Sequence, residues 1–463
     1  MLSRRELIHS REYLRMRQVR ALLAHRPDPL DWAGRHAGAT AFAGMMILVI
    51  ALAVTAVIGI IFPGGRTSWQ TCNAIIVERG TGAVYVCDAT SQTLYPVVNL
   101  SSAALIMGAS TTVSVAPESL TWSRGVPLGL PGAPDSLVAP DRYLGGAWSS
   151  CAVTRPDLAG QPAPAAIILA GRRPTGGTPL EERALLLTAE DGTRYLLWAG
   201  HRYPIEEPQY VLPALGFSVQ EGVTVADAWL APIPLGATIA PIRVAGAGGR
   251  LAGFDRARVG ELVRVGGADG TERVYLVRAD GLQEITPFQQ ALVRNANGIS
   301  PVAVGPTEIA GTPILPPLSV IGYPPPTDIP TFVRPGFDNG SICAIFRGYD
   351  LEFVLDGQLP ARADQVITRG IVGPDGVPLA DAVLVEPGHA VMARSLASPQ
   401  ASGGPLLLVT DLGIRHSLAN DDVAVMLGYA RNAVPVPLPA SLLARVPEGV
   451  ALDPARARSA VAG

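Results

Sequence analysis

The residues that could do chemistry in this chain are few, and their spacing fits no catalytic motif. Gly246, Gly248 and Gly249 resemble part of a phosphate loop, but they miss the G-x-G-x-x-G spacing, so a flexible loop is the favoured interpretation. Asp421 and Asp422 follow an asparagine, a pattern more typical of a helix start than of a cation site. We therefore predict no catalytic residue, no cofactor, no cofactor-binding residue and no metal site.

The basic and imidazole side chains restrict the chemistry further. All 36 basic residues are arginines, and this excludes a Walker A loop and a Schiff-base lysine. Three histidines follow the most apolar segment, His201, His389 and His416, and none forms an H-x-E or H-E-x-x-H pattern. We expect all three to be surface or turn residues. A net charge of −3 offers no basic field for nucleic acid.

Four cysteines follow the same segment: Cys72, Cys87, Cys151 and Cys343. In an oxidising compartment an even number favours two disulfides, although three pairings are formally open and free buried thiols are the alternative. We expect Cys72 to pair with Cys87, because they bracket one hairpin pattern, and Cys151 to pair with Cys343. The second bond would close a long loop, for which the chain-entropy model gives about 5 kcal/mol. No Cys/His spacing indicates zinc.

A membrane anchor separates these residues from the N-terminus. The stretch from Phe42 to Phe62 contains no charged residue and would span about 31 Å as a helix, close to the thickness of a bilayer core. Eight arginines and four acidic residues precede it, a net charge of +4, whereas residues 63–92 sum to zero. We therefore expect a single-pass membrane protein with a cytoplasmic N-terminus and an extracytoplasmic bulk. A cleaved signal peptide is disfavoured because the apolar run is too long.

Residues 3–25 have the composition of a helix. Leu7, Leu14 and Leu22 fall near one line, but Arg11 and Arg15 interrupt that face, so the amphipathicity is loose. This helix could lie on anionic headgroups or dock on cytoplasmic partner subunits, and a solvated basic leader is the third interpretation.

A pattern of strand, polar turn, short strand and helix occurs four times after the anchor, and a unit of this size cannot bury its own apolar face. The strands of the four copies start at Val84-Tyr85-Val86, Tyr195-Leu196-Leu197, Val274-Tyr275-Leu276 and Leu406-Leu407-Leu408. Tyr95-Pro96 and Tyr203-Pro204 end the second strands of the first two copies, and we expect them to pack inside their copies rather than bind carbohydrate.

We predict an α+β fold: an N-terminal helix and a single transmembrane helix, then an elongated extracytoplasmic region of four small αβ repeats around a central β-rich domain. The expected segments are the cytoplasmic helix and linker (1–40), the transmembrane helix (41–62), repeat 1 (63–110), the central domain (111–180 and 310–400), repeat 2 (181–245), repeat 3 (246–309), and repeat 4 with the C-terminal tail (401–463).

Several stretches resemble one known family. The leader RRELIHSREYLRMRQVRALL, the single span, the VYV…LYPVVNLSSAALI copy, the YLLWAGHRYPI and LLLVTDLGIRHSL copies and the two central cysteines resemble EccB, a membrane component of the type VII (ESX) secretion machinery of actinobacteria. The resemblance covers nearly the whole chain. It implies four repeats, similar in fold to a phage cell-wall-binding module, around a central domain that a disulfide closes. Cys72 and Cys87 are not part of that family pattern.

The resemblance also implies a function. It predicts a structural subunit that assembles with EccC, EccD, EccE and the mycosin protease, and that self-associates from a dimer towards a hexameric ring. Members of the family are often labelled ATPases, but this chain has no nucleotide-binding motif, and the resemblance places the motor in EccC. The alternatives are a membrane-anchored ectoenzyme, such as a nucleotide hydrolase, and a cell-wall-binding protein.

Overall fold

The computed structural model describes residues 4–24, 34–61, 67–267, 270–297, 300–333, 340–360, 371–431 and 433–461. The chain forms two compact units. The first contains Met1–Ser68 and Val115–Thr121, and the second contains Trp69–Ser114 and Trp122–Gly463.

Two long helices make up most of the first unit. The N-terminal helix, Arg4–Ala24, consists mainly of arginine, leucine and other good helix formers and contains neither proline nor glycine. The membrane helix, Gly34–Ile61, is 28 residues long, and its stretch Gly38–Thr55 is long and apolar enough to cross a membrane. Within the described ranges it is the one helix with that property. The structure is therefore α+β with one candidate membrane span.

The described residues of the second unit form five sheets. Four of them are numbered here in chain order, and their strands are given in the order in which they pair. The first sheet has Thr112–Val115, Ile75–Glu78, Val84–Asp88, Thr93–Val97 and Ser123–Arg124, and the second has Val223–Thr224, Leu185–Thr188, Arg194–Trp198 and His201–Ile205. The third has Val302–Val304, Leu262–Gly266, Glu272–Arg278, Gly281–Glu284 and Ile314–Leu315, and the fourth has Val436–Pro439, Ala390–Leu396, Leu406–Thr410 and Arg415–Ser417. In each sheet an antiparallel meander forms the middle.

The central sheet has six strands. Their order is Ala382–Leu384, Pro162–Leu169, Trp148–Pro156, Ile342–Arg347, Asp350–Leu355 and Thr178–Pro179. It is antiparallel except where Ala382–Leu384 runs parallel to Pro162–Leu169. Strand Tyr143–Leu144 pairs outside it, with the fourth sheet.

Short helices follow the hairpins of the four numbered sheets. They are Leu100–Met107, Pro208–Ala214, Pro287–Asn297 and Asp421–Met426, and the remaining helices among the described residues of this unit are Asp227–Leu230, Ala440–Leu443 and Pro454–Ala457. Single turns of 3₁₀ helix occur at Thr67–Thr71, Pro117–Ser119, Pro140–Arg142 and Pro306–Glu308.

The caps explain where two of these helices begin. The Asn99 side chain accepts a hydrogen bond from Ser102 N, and the Asn420 side chain accepts one from Val423 N, so each asparagine satisfies a free amide of the first turn. Asp421 and Asp422 lie in the first turn of the second helix, where their charge favours the helix dipole.

One large hydrophobic core joins the central sheet to its neighbours. Trp148 and Phe346 of the central sheet pack in the same buried cluster as Leu185 of the second sheet and Val391 and Val409 of the fourth. The first sheet shares a separate cluster with the fourth, including Ile75, Leu105 and Leu408. These elements therefore bury their apolar faces against one another.

Candidate functional sites: the two helices, the disulfides and the hairpin turns

The N-terminal helix presents its side chains to the outside. Leu7, Leu14 and Leu22, the residues of the predicted apolar line, are 59%, 56% and 75% exposed. Arg11 and Arg15 lie on the same helix and are exposed as well. The face is therefore available for a partner or a lipid surface, and its role stays a prediction.

The stretch Gly38–Thr55 of the membrane helix contains no charged residue, and its side chains are exposed. Phe42, at the start of the predicted anchor, is 69% exposed. Phe62, at its predicted end, lies outside the described residues. The hydroxyl of Thr55 donates to Ala51 O and Leu52 O, at 3.0 and 2.9 Å, so this polar group is satisfied inside the helix.

Disulfides join the cysteines in the expected pairs, Cys72 with Cys87 and Cys151 with Cys343. The first bond ties the turn that starts the second unit to the middle strand of the first sheet. Trp69 in that turn is buried, and its ring packs edge-on against Trp122 at 4.8 Å. The bond and the tryptophan pair therefore hold the same short segment.

The second disulfide lies inside the central sheet. Cys151 and Cys343 face each other across adjacent antiparallel strands, and both are fully buried. They pack with Ile167, Leu169 and Ala382 of the same sheet. This bond therefore links strands that are 192 residues apart in the chain.

The described ranges bring no set of metal-binding side chains together. Within the described residues, no three His, Cys, Asp or Glu side chains are grouped so that they could hold an ion. His201 stacks on Tyr323 with the ring centroids 3.8 Å apart, and His389 is half-buried, with its Nδ1 3.0 Å from Pro387 O. The prediction of a surface or turn position is wrong for His416, because this residue is 2% exposed.

His416 is buried because it occupies a core position of the fourth sheet. Its Nδ1 lies 2.9 Å from Val450 O, and its strand is covered by the segment that contains Gly449. Burial lowers the pKa of the imidazole, and the hydrogen bond to the carbonyl opposes this shift only in part. The ring is a core group rather than a catalytic one.

An aromatic ring packed on a glycine recurs in three sheets, a feature that the sequence motifs did not reveal. A methyl group at Gly125, Gly236 or Gly449 would overlap the ring of Tyr95, Tyr203 or His416 respectively. Each glycine amide donates to the carbonyl of the residue before the ring, at 2.8 to 2.9 Å. The signal in the sequence was a glycine that follows the aromatic residue by 30 residues in the first sheet and by 33 in the other two.

The third sheet lacks this pair. Gln283 occupies the position of the ring, and Leu315 lies opposite it in the parallel register, where the other sheets have glycine. The Gln283 amide donates to Pro316 O at 2.8 Å. In the third sheet, therefore, both the ring and the glycine are replaced by other residues.

Comparison with known proteins places these features in a family. The family model described as "Type VII secretion system ESX-1, transport TM domain B" matches residues 1–463. Among curated proteins, "ESX-3 secretion system ATPase EccB3" of Mycolicibacterium smegmatis is 30% identical over 461 residues, with 92% of this chain and 84% of the relative covered. "ESX-2 secretion system ATPase EccB2" of Mycobacterium tuberculosis is 30% identical over 443 residues, with 89% and 84% covered.

Solved structures share the fold. An intact ESX-5 inner membrane complex contains a chain that matches with a TM-score of 0.64 and 23% identity, covering 100% of this chain and 96% of that one. An EccB3 dimer from the ESX-3 core complex matches with a TM-score of 0.63 and 27% identity, covering 84% and 100%. Since the family model spans the whole chain, this protein belongs to the EccB family of type VII secretion components.

Proposed function

We propose that this protein is a structural subunit of an inner-membrane type VII secretion complex, which anchors an assembly that dimerises or forms a ring around the export path. One observation carries the proposal: along the full length of the chain, the fold resembles that of a chain in an intact ESX-5 inner membrane complex. A second supports self-association, because a related EccB3 chain was solved as a dimer.

The charge on either side of the membrane helix supports an orientation. Arginines concentrate before it, so the N-terminal helix lies in the cytoplasm and the second unit lies outside. The disulfides fit an oxidising compartment. In this arrangement the N-terminal helix contacts cytoplasmic parts of EccC, EccD or EccE, and the outer unit meets the mycosin protease.

The four numbered sheets are copies of one unit that surround the central sheet. The second and fourth sheets support this best: Arg202 and Arg415, one residue before the ring, each donate through Nε to a carbonyl at 2.9 Å, that of Ile233 or Val446. We assign residues 1–40 to the cytoplasmic segment and residues 41–62 to the transmembrane helix. The later segments keep the bounds that the sequence predicts. In this arrangement the copies also contact the cell wall.

A nucleotide hydrolase is the second candidate, and the names of the relatives favour it, since they are called ATPases. In this chain the absence of lysine removes the residue that a Walker A loop uses to reach the β- and γ-phosphates. The scaffold function is therefore preferred.

The two functions are separated by a pull-down and an activity assay. The tagged chain is solubilised in mild detergent and its companions are identified by mass spectrometry, with a variant lacking residues 1–24 as the control for cytoplasmic contacts. We expect the full chain to recover EccC, EccD, EccE and the mycosin, and the variant to recover fewer of them. Recovery as a free monomer, or ATP turnover that one carboxylate-to-amide change abolishes, would contradict the scaffold function.

A further inference from the structure

The second unit contains a cavity of about 860 Å³ beside the second sheet, which belongs to none of the sites above. Three parts of the chain line it: the turn at Glu181 and Glu182 before strand Leu185–Thr188, Trp198 at the end of strand Arg194–Trp198 with Ala199 of the turn that follows, and the segment 326–331. Its volume is in the range of pockets that bind small ligands.

Hydrogen bonds hold the walls of this cavity in place. The Tyr203 hydroxyl donates to Pro324 O at 3.0 Å, and Phe288 N donates to Thr327 O at 2.9 Å. Ala184 N donates to Thr331 O at 2.9 Å. These three bonds hold the segment 326–331 at Pro324, at Thr327 and at Thr331. The cavity is therefore preformed, and a ligand would lose little affinity to ordering it.

An indole and two prolines supply the apolar part of the lining. Trp198 is half-buried, and its Nε1 donates to Glu182 O at 3.2 Å, which fixes the orientation of the ring. Pro326 and Pro330 line the opposite segment. Aromatic-lined grooves are typical of domains that bind extended, proline-rich peptides, so the fixed indole can pack against an extended segment.

The charged part of the lining is acidic. Glu181, Glu182 and Asp328 are exposed and line the cavity, and in the described part of the chain no arginine forms an ion pair with them. Arg183 also lines it, but its guanidinium donates to Leu180 O and Pro179 O. The cavity therefore has an excess of negative charge that its own cation does not pair with.

We propose that this cavity binds an arginine side chain that a partner protein presents on an extended segment. The planar guanidinium can donate several hydrogen bonds to carboxylates while it stacks on an aromatic ring, and Trp198 with the three carboxylates offers both partners. A neutral sugar would use the ring but would leave the excess charge unpaired. The inference goes beyond the scaffold function and is tested on the isolated chain, so its failure would leave that function intact.

The test measures fluorescence anisotropy with the full-length chain in detergent micelles. The probe is a fluorescein-labelled peptide of alternating arginine and proline, and the matched probe has citrulline, which keeps the shape but not the charge, at each arginine. We expect the citrulline peptide to bind roughly tenfold more weakly than the arginine peptide. The affinity of the arginine peptide should decrease when the NaCl concentration is raised from about 50 mM to about 300 mM.

Variants locate the binding. The double substitution Glu182→Gln/Asp328→Asn should lower the affinity for the arginine peptide by about tenfold. Trp198→Ala should lower it by about fivefold. Trp198→Phe keeps a ring and should have a smaller effect. Asp280→Asn, which removes an exposed carboxylate from a turn of the third sheet, is the control and should bind like the unchanged chain. Thermal unfolding checks that each variant folds.

Two results would overturn the proposal. The first is equal binding of the arginine and citrulline peptides, or binding that the folded Glu182→Gln/Asp328→Asn variant retains in full. The second is binding of an N-acetylglucosamine tetramer that depends on Trp198, without binding of the arginine peptide, which would assign the cavity to carbohydrate.

Discussion

The second and third sheets have the same strand order around their hairpins, but their parallel edges are packed differently. In the second sheet the ring of Tyr203 is fully buried over Gly236, whereas in the third sheet Gln283 faces Leu315. A large residue on one strand thus occurs with a glycine on the other, and a smaller one occurs with leucine. This difference indicates that the two positions are one packing unit, whose volumes compensate even though some thirty residues separate them.

The largest effect is expected from closing the space under the ring. Gly236→Ala places a methyl group into the ring of Tyr203, and both are held by backbone hydrogen bonds, so we expect a loss of about 3 kcal/mol. Hydrogen exchange measured by mass spectrometry should show faster exchange in the second sheet. Gly403→Ala, where nothing lies within 4 Å of the new methyl group, is the matched control. Equal protection in both variants would show that the ring moves freely.

The pair can also be transplanted. Gly236→Leu alone should be strongly destabilising, and adding Tyr203→Gln, which copies the third sheet, should recover about 1 kcal/mol because the overlap disappears. Thermal unfolding of both single variants and the double variant forms a mutant cycle. Strict additivity of the two changes would argue against a shared packing unit.

The reverse change in the third sheet should have a modest effect. Leu315→Gly removes a half-buried side chain and adds backbone freedom, so we expect a loss of about 1 kcal/mol. Exchange in strand Gly281–Glu284 is the readout, with the second sheet as the internal reference. A loss as large as that of Gly236→Ala would mean that Leu315 has a role beyond filling this edge.

The smallest effect is a dependence on pH that only the fourth sheet should show in the acidic range. Burial holds the pKa of His416 below its ordinary value of 6.5, so the unfolded chain binds the proton more readily. The stability that the neutral ring contributes is present above pH 6.5 and is lost as the pH falls below it. In the second sheet burial instead raises the pKa of Tyr203, which stays neutral throughout.

Hydrogen exchange at pH 7 and pH 5, corrected for the intrinsic rates, compares the two sheets in one sample. His416→Phe should remove the difference between the two pH values. If the fourth sheet of the His416→Phe variant still exchanges faster at pH 5 than at pH 7, another group causes the pH dependence.

Local patterns predicted the elements that are continuous in sequence. Apolar runs and turn residues predict the membrane helix and the N-terminal helix. They also predict the second and third strands, in chain order, of the antiparallel meander in each numbered sheet. Tyr203 packs inside its sheet as expected. These features depend on neighbours within a few residues, which is the range over which propensity and periodicity act.

Contacts between distant segments could not be predicted in the same way. The parallel edge strands, such as Ile314–Leu315, are two residues long and carry no periodicity. The segment boundaries stay predictions, and one hairpin shows the difficulty, because Ala390–Leu396 pairs with Leu406–Thr410 on either side of residue 400. The cavity at Trp198 joins residues well over a hundred positions apart.

The bond between Cys151 and Cys343 gives the second unit a property that no single sheet has. The second and third sheets lie entirely between these two cysteines, inside a covalent loop with a sequence separation of 192. After a single cut by a protease anywhere in that loop, the first sheet would stay joined to the membrane helix through the peptide chain, and the fourth sheet through the disulfide. The chain would therefore stay in one covalent piece after a nick in this loop, and would separate into two fragments only after reduction.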